Sequence, residues 1–139
     1  MKSSKPILLV EDDKVDAMTV QRALKEIKVK NSLEITENGE EALAYLRDSN
    51  HERPCVILLD LRMPRMGGIE FLEIIKSDSS LKRIPVVVMT TSREEQDVVN
   101  SFNLGVAGYI VKPVDYRRFV ETMKTVNLYW TLSELPLEG

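Results

Sequence analysis

Four groups of residues have the types needed for joint chemistry. The acids Glu11-Asp12-Asp13 directly follow the apolar run Ile7–Val10, and Asp60 follows a second run, Val56–Leu59. Thr90-Thr91 follows a third, Val86–Met89, and Lys112-Pro113 follows Gly108–Val111. Carboxylates crowded into one crevice repel and desolvate one another unless a cation neutralises them. Hard oxygen ligands with room left for water and a phosphate suit Mg2+ better than zinc or copper. The threonine hydroxyls would donate to a phosphoryl oxygen, and the Lys112 ammonium would supply a point charge beside it. The plainer reading makes Glu11, Asp12 and Asp13 solvated residues and helix caps. Against it stands the shared position of all four groups, each at the end of an apolar run.

The apolar runs that carry these residues read as strands. Ile7–Val10, Val56–Leu59 and Val86–Met89 are each four consecutive apolar residues, the pattern of strands covered on both faces of a parallel sheet. Leu33-Glu34-Ile35 alternates instead, and Gly108–Val111 carries a glycine and Tyr109, so these two belong nearer the edges. Between the strands lie helix-like stretches. Ala17, Val20, Leu24 and Ile27 recur at steps of three and four, as do Phe119, Met123, Val126 and Trp130, each set marking one buried stripe. Asp13, Asn38 before Glu40–Leu46, Ser92 before Arg93–Phe102, and Asp115 are placed to cap helices.

Strict βα alternation, five times over, predicts right-handed crossovers and a doubly wound α/β fold. Helices then cover both faces of one parallel sheet, as a three-layer sandwich. With the most apolar runs placed centrally, the strand order is 2-1-3-4-5, which is flavodoxin-like. Ligands of such sheets bind at the carboxyl ends of strands 1 and 3, where the acids are.

Composition narrows the function classes. The chain has 139 residues, 43% of them hydrophobic and 29% charged, which fits one soluble domain with a continuous core. One cysteine, Cys55, cannot form an internal disulfide, and with only His51 beside it no tetrahedral zinc site closes. Packing explains Cys55 better than redox work, and His51 reads as a loop residue. There is no apolar run near the ~18 residues of a membrane span and no signal-peptide pattern, so a cytoplasmic location is expected. The 19 basic residues against 22 acidic ones give a net charge of −3, and no phosphate-backbone footprint stands out. Direct DNA binding is therefore not expected.

The four strand-end motifs together resemble the receiver domain of bacterial two-component response regulators. The resemblance runs from Ile7-Leu8-Leu9-Val10-Glu11-Asp12-Asp13 through Leu59-Asp60-Leu61-Arg62-Met63-Pro64-Arg65-Met66-Gly67-Gly68 and Val88-Met89-Thr90-Thr91 to Ala107-Gly108-Tyr109-Ile110-Val111-Lys112-Pro113. Length and tail are most similar to the stand-alone regulators associated with bacterial phytochromes and related sensor kinases. The resemblance implies that Asp60 is the phosphoacceptor. Glu11, Asp12, Asp60 and the backbone carbonyl of Arg62 would hold Mg2+. Lys112 and Thr90 would contact phosphoryl oxygens, and a cis Lys112-Pro113 bond would aim the lysine inward. Thr90 and Tyr109 would form the switch, read out on helix 4, strand 5 and helix 5. The partner implied is a sensor histidine kinase, of phytochrome type, or a histidine phosphotransfer protein.

Such a chain is a switch rather than a turnover enzyme, catalysing only its own phosphotransfer and slow autodephosphorylation. A haloacid-dehalogenase-type phosphatase would need a second Asp two residues after the nucleophile, where Arg62 stands. A phosphorylation-independent adaptor and a phosphate shuttle in a multistep relay are the alternative functions. In some positions the chain departs from the commonest pattern. Glu11 replaces an Asp, and Arg62 and Ser92 occupy places that influence how water reaches the phosphoryl group. Residues 1–127 form the expected receiver domain, with no output domain. From 128 to 139 an apolar tail extends helix 5; its Tyr129, Trp130 and Leu132 either fold onto their own core or anchor a homodimer through helix 4, strand 5 and helix 5.

Overall fold

The computed structural model of the chain describes residues 5–63, 65–90, 103–111 and 115–125, with the backbone alone at Thr90 and Val111. The predicted helix over 93–102, Ser92, Lys112, Pro113 and the tail with Tyr129, Trp130 and Leu132 lie outside these residues. Five strands, β1 (Ile7–Val10), β2 (Leu33–Thr36), β3 (Val56–Leu59), β4 (Val86–Thr90) and β5 (Gly108–Val111), form one parallel sheet in the order β2-β1-β3-β4-β5. This is the predicted order, with the alternating and glycine-bearing runs at the two edges. Helices α1 (Lys14–Glu26), α2 (Gly39–Arg47) and α3 (Gly68–Ser77) connect the strands, and a C-terminal helix covers 116–125.

Successive side chains of a strand point to opposite faces, and the continuous apolar runs therefore feed two cores. Ile7, Leu9, Val56, Leu58, Val87 and Met89 pack under Val20 and Leu24 of α1 and Phe119 and Met123 of the C-terminal helix. On the other face Leu8, Val10, Ile57, Leu59 and Val88 meet Leu43 of α2 and Phe71, Leu72 and Ile75 of α3. Burial of both faces is what makes an all-parallel sheet stable, because each strand can be apolar at every position.

Three helix starts follow the predicted caps. The Asp13 carboxylate accepts from the Asp16 N–H at 3.0 Å, the Asn38 side-chain oxygen from the Glu41 N–H at 2.9 Å, and the Asp115 carboxylate from the Arg118 N–H at 3.3 Å. Each satisfies an N–H that the first helical turn leaves without a partner. Helix α2 starts at Gly39, one residue earlier than its sequence pattern predicts. Helix α3 has Gly67 at its cap position and no side-chain cap.

Candidate functional site

Strand register brings two of the acids together. Val10 is the partner of Leu59 in the β1·β3 ladder, so the next residues, Glu11 and Asp60, emerge side by side. The ladder runs one bond further: the Asp60 N–H donates to the Val10 carbonyl at 3.0 Å, and the Glu11 N–H to the Thr36 carbonyl of β2 at 2.9 Å. Both backbones are thus held by neighbouring strands at the moment they leave the sheet. Asp12 follows before the α1 cap.

Carboxylate oxygens of Glu11, Asp12 and Asp60 all lie within 4.8 Å of one another. Glu11 is 2% and Asp60 6% exposed, whereas Asp12 is open to solvent. Local backbone orients the two buried acids. The Asp13 N–H donates to Glu11 Oε2 at 3.3 Å, and the Arg62 N–H donates to Asp60 Oδ1 at 3.2 Å. Asp13 itself turns away to cap α1, so for this residue the plainer sequence reading is the correct one. Three carboxylates of which one faces water form a hard oxygen donor set with positions left for further ligands, and that chemistry fits a divalent cation. Two buried like charges this close are otherwise costly.

The segment after Asp60 is packed onto α3. A Cβ built on Gly68 would lie 2.5 Å from Leu61 Cα and 2.7 Å from the Asp60 carbonyl oxygen, distances no side chain tolerates. The Gly68 N–H donates to the Leu61 carbonyl at 2.9 Å. Gly68 is therefore needed where α3 meets the backbone of the acid site, a role that its place in the sequence motif did not specify. Arg62 is exposed, and its main chain lies two residues from Asp60.

The remaining predicted residues divide in two. Thr90 ends β4 opposite Val111 of β5, on the same rim of the sheet as Asp60. Tyr109 pairs with Val88 in that ladder and is half-buried against the core cluster containing Val86 and Val88. Lys112 and Pro113, which follow β5 directly, are outside the described residues. Cys55 is buried at the start of β3. His51 sits in the loop before it, stacked on Tyr45 with ring centroids 4.2 Å apart, at the opposite end of the sheet from the acids. Among the described residues no helix is long and apolar enough to cross a membrane.

Fold and acid geometry agree with a match to the family model "Response regulator receiver domain" over residues 7–124. The chain belongs to the response regulator receiver family. Receivers of this family are signalling switches of two-component systems. The response regulator Rcp1 of Synechocystis sp. is 41% identical over 130 residues, covering 91% of this chain and 88% of that protein. The Mn2+-bound crystal structure of Rcp1 superposes with a TM-score of 0.82 at 40% identity, covering 91% and 94% of the two chains. The phosphorylated cyanobacterial phytochrome response regulator RcpA gives a TM-score of 0.84 at 42% identity, covering 92% and 94%. The sequence resemblance to phytochrome-associated receivers is thus matched among solved structures.

Proposed function

We propose that this receiver accepts a phosphoryl group on Asp60 from the phosphohistidine of a sensor kinase, of the phytochrome class, and passes the change of state to protein partners. The observation that carries this reading is the meeting of buried Glu11, buried Asp60 and exposed Asp12 within 4.8 Å at the carboxyl ends of β1 and β3. Similarity to a Mn2+-bound and a phosphorylated receiver supports it. In the transfer, a carboxylate oxygen of Asp60 attacks phosphorus while the bond from phosphorus to the donor's imidazole nitrogen breaks, and the imidazole leaves with that electron pair.

Glu11, Asp12, Asp60 and the Arg62 carbonyl would hold Mg2+, which when bound supplies the positive charge that lets an anionic carboxylate approach an anionic phosphoryl group. Lys112 and Thr90 would each take one phosphoryl oxygen. Burial of Glu11 and Asp60 removes competing water from around the reacting oxygen and strengthens each electrostatic contact. Close to two added negative charges at Asp60 would draw Thr90 and its loop inward, making room for Tyr109 to turn. The state would be read on β5 and the helices flanking it in sequence, where a second copy or a downstream protein docks.

Intact-protein mass after incubation with a small acyl phosphate and Mg2+ tests the reading. The expected result is a gain of one phosphoryl group, abolished in Asp60→Asn and by chelator. An unlabelled wild type, under conditions that label the phosphorylatable receiver RcpA, would overturn it in favour of a phosphorylation-independent adaptor.

A further inference from the structure

We propose that Gly39, at the start of α2, is a positioning residue for the segment that follows Asp60, and that it acts by admitting the side chain of Met66. The inference rests on the reading of Glu11, Asp12, Asp60 and the Arg62 carbonyl as a Mg2+ site. Gly39 is not one of these groups. Its N–H donates to the Met66 carbonyl at 3.3 Å, and the Met66 side chain lies against its Cα. A Cβ built on Gly39 would fall 2.8 Å from Met66 Cγ and Sδ and 3.0 Å from Met66 Cβ. Because Met66 Cβ is fixed by its own backbone, no rotamer change relieves the whole overlap. Beside this contact, the Arg65 guanidinium reaches 4.0 Å from the Glu40 carboxylate.

The connection from β3 to α3 is therefore gripped at two places. At one, Gly68 presses on Leu61 and the Asp60 carbonyl; at the other, Met66 is seated on α2. Between them, Arg65 has φ 61°, a left-handed conformation that an L-residue with a side chain holds only when its surroundings impose it. The seat is itself tied to the acid site. Gly39 lies three residues after Thr36, whose carbonyl holds the Glu11 N–H, and follows Asn38, 5% exposed and capping α2. One short stretch of chain thus touches the backbone of Glu11 at one end and the Asp60 segment at the other.

Helix interiors favour alanine over glycine by up to about 1 kcal/mol, but Gly39 is the first residue of α2, directly after its Asn38 cap, where that preference does not apply. What calls for glycine here is the close approach of Met66.

The test uses Gly39→Ala, Met66→Ala and the double variant, with Mg2+ affinity by isothermal titration calorimetry, acyl phosphate labelling by intact mass, and the thermal midpoint in chelator. Gly39→Ala is expected to weaken Mg2+ binding about tenfold, the scale for groups that orient metal ligands from behind, and to slow labelling, with a fall of the midpoint in chelator that leaves the protein folded at the assay temperature. The double variant is expected to recover most of the lost affinity, since Met66→Ala removes the two atoms nearest the new methyl; it also keeps the test decisive should Gly39→Ala fold poorly. Wild-type Mg2+ affinity and labelling in Gly39→Ala would overturn the inference alone. A double variant no better than the single would also overturn it, because the glycine would then not act through Met66. A wild type that neither binds Mg2+ nor labels would overturn the underlying site reading and this inference with it.

Discussion

Glu11 and Asp60 are buried side by side, yet neither is arranged as part of the apolar core. Each leaves the sheet with its N–H already bonded to a neighbouring strand and its carboxylate turned by the backbone of the residue two further on. Arg62 supplies that second contact from its N–H while its side chain stays exposed. If Asp60 is the phosphoacceptor, the guanidinium of Arg62, two residues on, would be within reach to cover the phosphoryl group and limit the approach of water. Arg62→Ala is therefore expected to shorten the lifetime of the aspartyl phosphate about tenfold, equivalent to losing one charge-assisted contact of about 1.4 kcal/mol. Loss of the mass gain with time, in chelator after labelling, measures it; equal rates in variant and wild type would exclude the role. The acids themselves were legible in the sequence because each sits immediately after an apolar run, and register then does the rest. Gly39 was not, since Asn38-Gly39 before an amphipathic stretch reads equally well as an ordinary helix start. Its partner, Met66, lies 27 positions further along the chain, and only tertiary packing connects the two.

Among the elements, the central strands were the most legible, because double-sided burial writes itself as four apolar residues in a row. Edge strands β2 and β5 were placed by the weakness of the same signal, and the caps at Asp13, Asn38 and Asp115 by residue type. Conformations that go against residue type were not legible, and α1 ends on one. The Val29 N–H donates to the Leu24 carbonyl and the Lys28 N–H to the Lys25 carbonyl, both at 3.0 Å, with Lys28 at φ 64°. This is the paired-bond helix ending in which glycine is favoured at the left-handed position. Val29 completes it by packing against the core cluster that includes Leu24. Lysine there pays a steric cost of roughly 1–2 kcal/mol. Glycine would remove that cost but add freedom to the unfolded chain, leaving a net gain of about 0.5–1 kcal/mol. Lys28→Gly is expected to raise the urea midpoint with unchanged slope, and a lower midpoint would show that Lys28 makes a compensating contact.

At the scale of the whole molecule, the sheet separates a chemical rim from everything else. Asp60 leaves β3, Thr90 ends β4 and Tyr109 lies in β5, so a change at Asp60 must cross β4 to reach the far edge. On the proposed function, α1 offers the rim an approach side. Helix α1 turns Ala17, Val20 and Leu24 to the core, but Val15 and Met18, one turn apart near its start, are 71% and 65% exposed. They stand two and five residues after Asp13, the last of the acid run. On that proposed function, exposed apolar side chains on the helix that follows the acids would suit the docking of a macromolecular phosphoryl donor, whereas a small acyl phosphate would have no use for them. Desolvating each would contribute roughly 1.5 kcal/mol or more to a docked complex, about a tenfold change in affinity. Val15→Asp and Met18→Asp are accordingly expected to slow phosphotransfer from a phosphorylated sensor kinase about tenfold each, while labelling by the small donor keeps its wild-type rate. Both rates are read by intact mass on the same preparations. Equal slowing by both donors would place the defect in the acid site, and unchanged transfer from the kinase would move the docking surface elsewhere.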